Sequence, residues 1–131
     1  IINILLGAVV LGMPIDRRVA AGGTLGILGI AAMFYPQLAQ AEIGYWVRAP
    51  FQGRGLITKA AGAFTRLAFE HVGLNRVVIR AGVENGRSRA VPQRLGYVEE
   101  SVERGGGRGL GGFYDIVVYS LLAQEWRDRP G

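Results

Sequence analysis

Apolar and polar positions change their period along this chain, and each change marks an element. Residues 3–11 are apolar apart from Asn3 and read as a buried strand. The apolar opening is too short to span a bilayer, which takes about 20 residues. It also lacks the basic start of a secretion signal, and the absence of an initial Met raises the expectation of a missing N-terminus. Asp16-Arg17-Arg18, followed by Gly22-Gly23, marks a polar turn. Residues 24–33 are rich in glycine and aliphatic side chains and read as a second strand, residues 36–40 as a loop, and residues 42–47 as a third strand. Short connections make these neighbours antiparallel.

From residue 56 the period becomes helical. Leu56, Ala60, Phe64, Leu67 and Ala68 fall on one stripe, with Lys59, Arg66 and Glu70 largely outside it, which predicts a helix over 56–72. Gly73 stands where a left-handed stop belongs. Residues 75–83 are β-branched and apolar, and a strand reached through a helix pairs parallel with the strand before it. Asn85 is a suitable N-cap for a short helix to Leu95. Pro92 inside that helix removes an N–H and predicts a kink or loose turn. Gly96 ends it, residues 97–102 read as a strand, 104–112 as a glycine-dominated loop, and 113–122 as the last strand. The tail carries Trp126, and no internal repeat is visible. The order β-β-β-α-β-α-β-β predicts a single domain over 1–131, of α/β (α+β) class. It would be a mixed, mostly antiparallel twisted sheet with helices on both faces.

Charge and composition narrow the chemistry. Lys and Arg outnumber Asp and Glu by 15 to 10, almost all of the excess being Arg, which favours anionic partners. There is no cysteine, hence neither a disulfide framework nor a thiolate nucleophile, and a cytoplasmic setting is compatible. His71 is the only histidine and suits a helix C-terminus, so no metal site is expected.

Between the third strand and the long helix lies Pro50-Phe51-Gln52-Gly53-Arg54-Gly55-Leu56-Ile57-Thr58. A glycine turn opening a helix aims several backbone N–H groups and the positive end of the helix dipole at one point, where an anion is favoured. Gly53 and Gly55 permit close approach, and Arg54 adds a fork of donors suited to phosphate. The Gly-Lys-Ser/Thr ending of a P-loop is absent. A dinucleotide fingerprint lacks its third glycine and its acidic residue. The pyrophosphate of coenzyme A is the remaining reading.

Four blocks carry a family resemblance: residues 42–47 (Glu-Ile-Gly-Tyr-Trp-Val), 52–55 (Gln-Gly-Arg-Gly), 73–77 (Gly-Leu-Asn-Arg-Val), and 84–97 with Asn85, Ser88, Pro92, Arg94 and Tyr97. In that order they resemble the GNAT acetyltransferases, in particular the RimJ/RimL type that acetylates N-termini of ribosomal proteins. The resemblance covers about Gly22 to Trp126. It implies an acyl-CoA N-acetyltransferase that moves the acetyl group of acetyl-CoA to a primary amine by direct transfer between two bound substrates. The amine would be a peptide or ribosomal-protein N-terminus or a small molecule. The family usually begins with one more strand and two helices that shape the acceptor site. These have no counterpart here, so either a fragment or an acceptor pocket completed from elsewhere is expected.

The resemblance also assigns roles. Main-chain groups of Trp46 and Val47 would meet the pantetheine arm and the thioester, with an N–H near Val47 as oxyanion donor. The amides of Gln52, Gly53, Arg54, Gly55, Leu56 and Ile57 would hold the pyrophosphate; Ile57 replaces a usual small residue without blocking its amide. The strand after the helix would splay to admit the arm, with Asn85 at its end. Glu42 is the first candidate base, with pairing to an Arg as its ordinary role, and Glu84 the second. An acidic base proposed in the RimL type falls at Gly107, and the tyrosine acid of many members falls at Pro92, so both routes are lost. Ser88 is the candidate thiolate partner, or a helix cap. The expected partners are acetyl-CoA and the amine acceptor, with a homodimer left open, no membrane and no metal. The competing class is an RNA- or ribosome-binding module using Arg104, Arg108 and their glycines, although so short a run gives few phosphate contacts. A non-catalytic acyl-CoA-binding domain is the third reading.

Overall fold

The computed structural model describes residues 28–35, 39–47 and 55–130. The strand expected over 3–11, the polar turn behind it, and residues 48–54 with most of the glycine turn lie outside these. The described elements are β1 (Leu28–Tyr35), β2 (Gln40–Val47), α1 (Leu56–Arg66), a wider π-helical stretch (Leu67–Val72), β3 (Arg76–Gly82), α2 (Gly86–Arg94), β4 (Val98–Gly109), β5 (Gly112–Leu122) and α3 (Ala123–Arg127). The strands form one sheet in the order β1-β2-β3-β5-β4. Only β2 and β3 run parallel; the other neighbours are antiparallel, so the sheet is mixed and mostly antiparallel as expected.

Alternation along the strands separates two faces. Val77, Ile79 and Ala81 of β3 and Val117, Tyr119 and Leu121 of β5 are buried. All of these but Ala81 join one cluster with Ile57, Ala60, Ala61, Phe64 and Ala68 from the crossover helix and Val91 of α2. The buried stripe of α1 includes Ile57 and Ala61, while Leu56 is only half-buried. Both longer helices therefore cover one face. A helix on the other would have to come from residues outside those described. The single helix expected over 56–72 changes pitch at Leu67, and Gly73 ends it at φ 77, with the Leu74 N–H reaching back to Ala68 O at 2.9 Å. Thr65 gives its hydroxyl proton to Ala61 O (2.8 Å), so the buried Tyr97 hydroxyl donates to Thr65 Oγ1 at 2.6 Å and ties α1 to the start of β4.

Two expectations need correction. Residues 104–112 are not a loose loop. β4 continues through them to Gly109 and pairs with β5 around a turn at Leu110-Gly111. The irregularity that suggested a loop is accommodated by register shifts between Glu99 and Ser101 and between Glu103 and Gly107, and by Gly105 at φ 63. A Cβ on Gly107 would lie 2.2 Å from the Tyr114 ring, so glycine here serves close packing. The second concerns Pro92: the loose-turn alternative fails, for α2 continues through it to Arg94. The tail forms the short helix α3, opened by the Glu125 carboxylate accepting from Leu122 N–H at 2.9 Å. Its Trp126 stacks on Phe69 at 5.7 Å.

Candidate active site

The site follows from one interruption in the sheet. β2 and β3 pair for four residues, from Gln40↔Arg76 to Ile43↔Ile79, and then part. β1 stays paired with β2 as far as Val47, and β5 stays paired with β3 as far as Gly82. Each arm is thus held on its outer side while the space between them opens. Beyond Ile43, the β2 main-chain groups that face β3 lack a strand partner, though backbone groups away from water require one. Trp46 and Val47 belong to this unpaired end, where the resemblance expects a pantetheine chain.

Next to the wedge, α1 begins. Its N-cap, Gly55, is left-handed at φ 71; among the described residues no side chain caps the helix, and its first turn has no acidic residue. The Lys59 N–H is satisfied by Gly55 O at 3.0 Å, whereas the amides of Leu56 and Ile57 lie in the orphan first turn. An uncapped N-terminus with no carboxylate to compete fits a diphosphate. A Cβ at Gly55 would meet open space, so the positive φ rather than crowding calls for glycine. Ile57 turns its side chain into the core, consistent with a role for its amide alone. Gln52, Gly53 and Arg54 lie outside the described residues.

At the far arm stands Asn85. Its Oδ1 accepts from Ser88 N–H at 3.1 Å, so it caps α2, and the residue is exposed. Ser88 is half-buried in the first turn. Arg89 anchors this turn to the sheet: Nε donates to Tyr119 Oη (2.9 Å), Nη1 to Val83 O (3.0 Å) and Nη2 to Glu99 (3.0 Å). The near arm reaches the same turn through Tyr45, whose hydroxyl donates to Ser88 O at 2.7 Å. Burial first, then the neighbouring Tyr97 and Tyr119, pushes the Tyr45 hydroxyl above the ordinary tyrosine value, so it stays a protonated donor.

Glu42 occupies the opposite face of β2 from the buried Ala41 and Ile43, one residue before the strands part. Its carboxylate lies 3.7 Å from Arg80, and Arg80 also pairs with Glu103 of β4. Glu42 and Ser88 therefore approach the wedge from opposite faces of the sheet. Glu84 is exposed in the turn after β3, and Gly107 is buried in β4 beside Tyr114. Sequence reasoning passed over Tyr45, Arg80 and Arg89. Pro92 was the one available signal for Tyr45, because a proline in a helix leaves a carbonyl that needs another donor.

A sheet that splits between two parallel strands, with a helix starting after the first of them, is the arrangement that the resemblance leads one to expect. The comparisons agree. The Acetyltransferase (GNAT) domain pattern matches residues 9–98. The chain belongs to this family. It is 49% identical over 87 residues to the protein named "Putative ribosomal N-acetyltransferase YdaF" of Bacillus subtilis (strain 168), covering 66% of this chain and 48% of that one. It is 38% identical over 60 residues to the ribosomal-protein-serine acetyltransferase of Escherichia coli (strain K12), covering 46% and 34% respectively. Among solved structures, one named "Probable acetyltransferase" superposes with a TM-score of 0.74 at 44% identity, covering 76% of this chain and 57% of that one. The matches thus span about half the length of the Bacillus relative and a third of the Escherichia one.

Proposed function

We propose that this chain carries the acyl-donor half of an N-acetyltransferase that uses acetyl-CoA to acetylate a primary amine, with a ribosomal-protein N-terminus as the acceptor class. The observation that carries the reading is the parting of β2 and β3 after Ile43↔Ile79 beside the uncapped first turn of α1. The names of the two bacterial relatives support the acceptor class.

Bound acetyl-CoA supplies an activated acetyl thioester. The remaining roles belong to this chain's residues. The first-turn amides of α1, with Gln52, Gly53 and Arg54 before them, hold the diphosphate by backbone donors and charge. The unpaired main chain of Trp46 and Val47 receives the pantetheine arm, and an N–H near Val47 faces the developing oxyanion, a kind of contact that usually contributes most to acyl transfer. Asn85 aligns the arm from the far side while capping α2. Glu42 takes a proton from the incoming ammonium directly or through water, because the amine must be neutral to attack. Its carboxylate lies 3.7 Å from Arg80, one residue before the strands part. Ser88 offers its hydroxyl as a hydrogen-bond donor to the leaving thiolate. Transfer is direct, within a ternary complex.

Isothermal titration with acetyl-CoA, followed by a free-thiol assay across peptide N-termini and small amines, tests the reading. Saturable heat and thiol release with an N-terminal peptide are expected. No acetyl-CoA heat would overturn the assignment, and heat without transfer would make the chain an acyl-CoA-binding domain. The RNA-binding alternative drew on a flexible Arg/Gly segment, whereas Arg104 and Arg108 lie in strand β4 and Arg108 stands 5.5 Å over the Phe113 ring.

A further inference from the structure

Pro92 is the seventh residue of α2, and in an α-helix its N–H would bond the carbonyl four residues back, Ser88 O. Proline has no N–H, so Ser88 O loses its helical partner. That is the carbonyl that receives the Tyr45 hydroxyl at 2.7 Å. The donor comes from another element, 43 residues away in sequence. Tyr45 lies two positions beyond Ile43, the last β2 residue paired to β3. Its ring packs against the core cluster, and its hydroxyl touches the first turn of the helix that follows β3. Among the described contacts beyond the split, this hydrogen bond runs from the β2 arm to the helix carried by the β3 arm.

We propose that Tyr45 is a positioning residue for acyl-CoA binding. Its hydroxyl takes the place of the N–H missing at Pro92 and fastens α2 to β2 across the wedge. This sets the separation between the main chain of Trp46 and Val47 on one side and Asn85 and Ser88 on the other. An ordinary residue at position 92 would give Ser88 O a donor within the helix and remove the demand for one from β2. Pro92 exports the demand for a donor to the facing strand. The functional clause rests on the acetyl-CoA reading above; the coupling between positions 45 and 92 does not.

Tyr45→Phe, Pro92→Ala and the double variant separate these. Pro92→Ala restores an N–H to Ser88 O within the helix but builds no link to β2. Tyr45→Phe should lower Tm when made in the parent chain. It should cost distinctly less Tm when added to Pro92→Ala, because the carbonyl then has its own donor. Acetyl-CoA affinity by calorimetry should fall about tenfold with Tyr45→Phe, the scale of one buried hydrogen bond. That loss should persist in the double variant. In turnover assays, Tyr45→Phe should raise KM for acetyl-CoA more than it lowers kcat. Equal Tm costs in both backgrounds would overturn the coupling. Affinity restored in the double variant would reduce Tyr45 to filling a carbonyl and overturn the positioning role. Should Pro92→Ala not fold, an unchanged acetyl-CoA KM in Tyr45→Phe alone overturns the proposal. An unmodified chain that gives no acetyl-CoA heat overturns the function reading, while the Tm comparison still decides the coupling.

Discussion

Single residues at the wedge combine a structural contact with the role proposed for them. Asn85 caps α2 through Oδ1 and stands at the end of the splayed strand. Glu42 faces the split, yet it also holds one side of Arg80. That double duty shapes its mutational signature. Glu42→Gln removes the carboxylate but leaves Arg80 its second partner, Glu103. Thermal stability should change little, since exposed pairs contribute at most about 1 kcal/mol. Turnover should fall about a hundredfold if Glu42 is the base, with acetyl-CoA affinity nearly unchanged. Steady-state kinetics beside calorimetry checks this, and an unaltered kcat removes Glu42 from the mechanism. Much at this scale was legible beforehand, because Asn85 followed by Ser88 is a capping pattern and Gly73 a stop. Arg89 was not, because its three bonds join segments that meet only in the folded chain.

Among elements, the face of the sheet opposite α1 and α2 is strapped from β3 to β4 across β5. Arg76 bonds both oxygens of Glu100, at 2.6 and 2.9 Å, and Arg80 reaches one oxygen of Glu103 further along. The Arg76 hydrogen bond first, then one from Ser120 of the intervening strand, lowers the Glu100 carboxyl to about 2. A depressed carboxyl stabilises the fold above its unfolded value, about 4.3, and that contribution is lost as pH falls toward 2. The pair is partly solvated, so its share is discounted to about 1 kcal/mol. Denaturant unfolding should find Glu100→Gln about 1 kcal/mol less stable than the parent at pH 7, the difference vanishing near pH 2. A constant difference across that range would show that the loss comes from packing. The glycine-rich part of β4 shows why such pairing was hidden. Glycine has low strand preference taken alone, but facing β5 it leaves room for the Tyr114 ring.

For the molecule as a whole, one core holds the wedge open. Ile79 is fully buried, closes the parallel pairing with Ile43, and packs in the same cluster as Phe64 and Tyr119. Ile79→Ala should cost about 2–5 kcal/mol in denaturant unfolding, the range for truncating a buried aliphatic chain. A loss below about 1 kcal/mol would mean that the core collapses around the gap. No described helix is long and apolar enough to cross a membrane.

Periodicity and punctuation in the amino-acid order were enough for the order of the described elements from β1 to β5, the parallel pairing of the strands around α1, and the caps and stops, while the family came from the resemblance of the motif blocks. These depend on near neighbours in the chain, where side-chain spacing and backbone preference act directly. Three features came only with tertiary structure. The expected splay of β2 and β3 is placed after their fourth paired residue, Tyr45 supplies the donor that Pro92 lacks, and the arginines at 76 and 80 reach over a strand to their carboxylates. Each depends on which distant segments lie side by side, and that is settled by burying a shared core rather than by any local pattern.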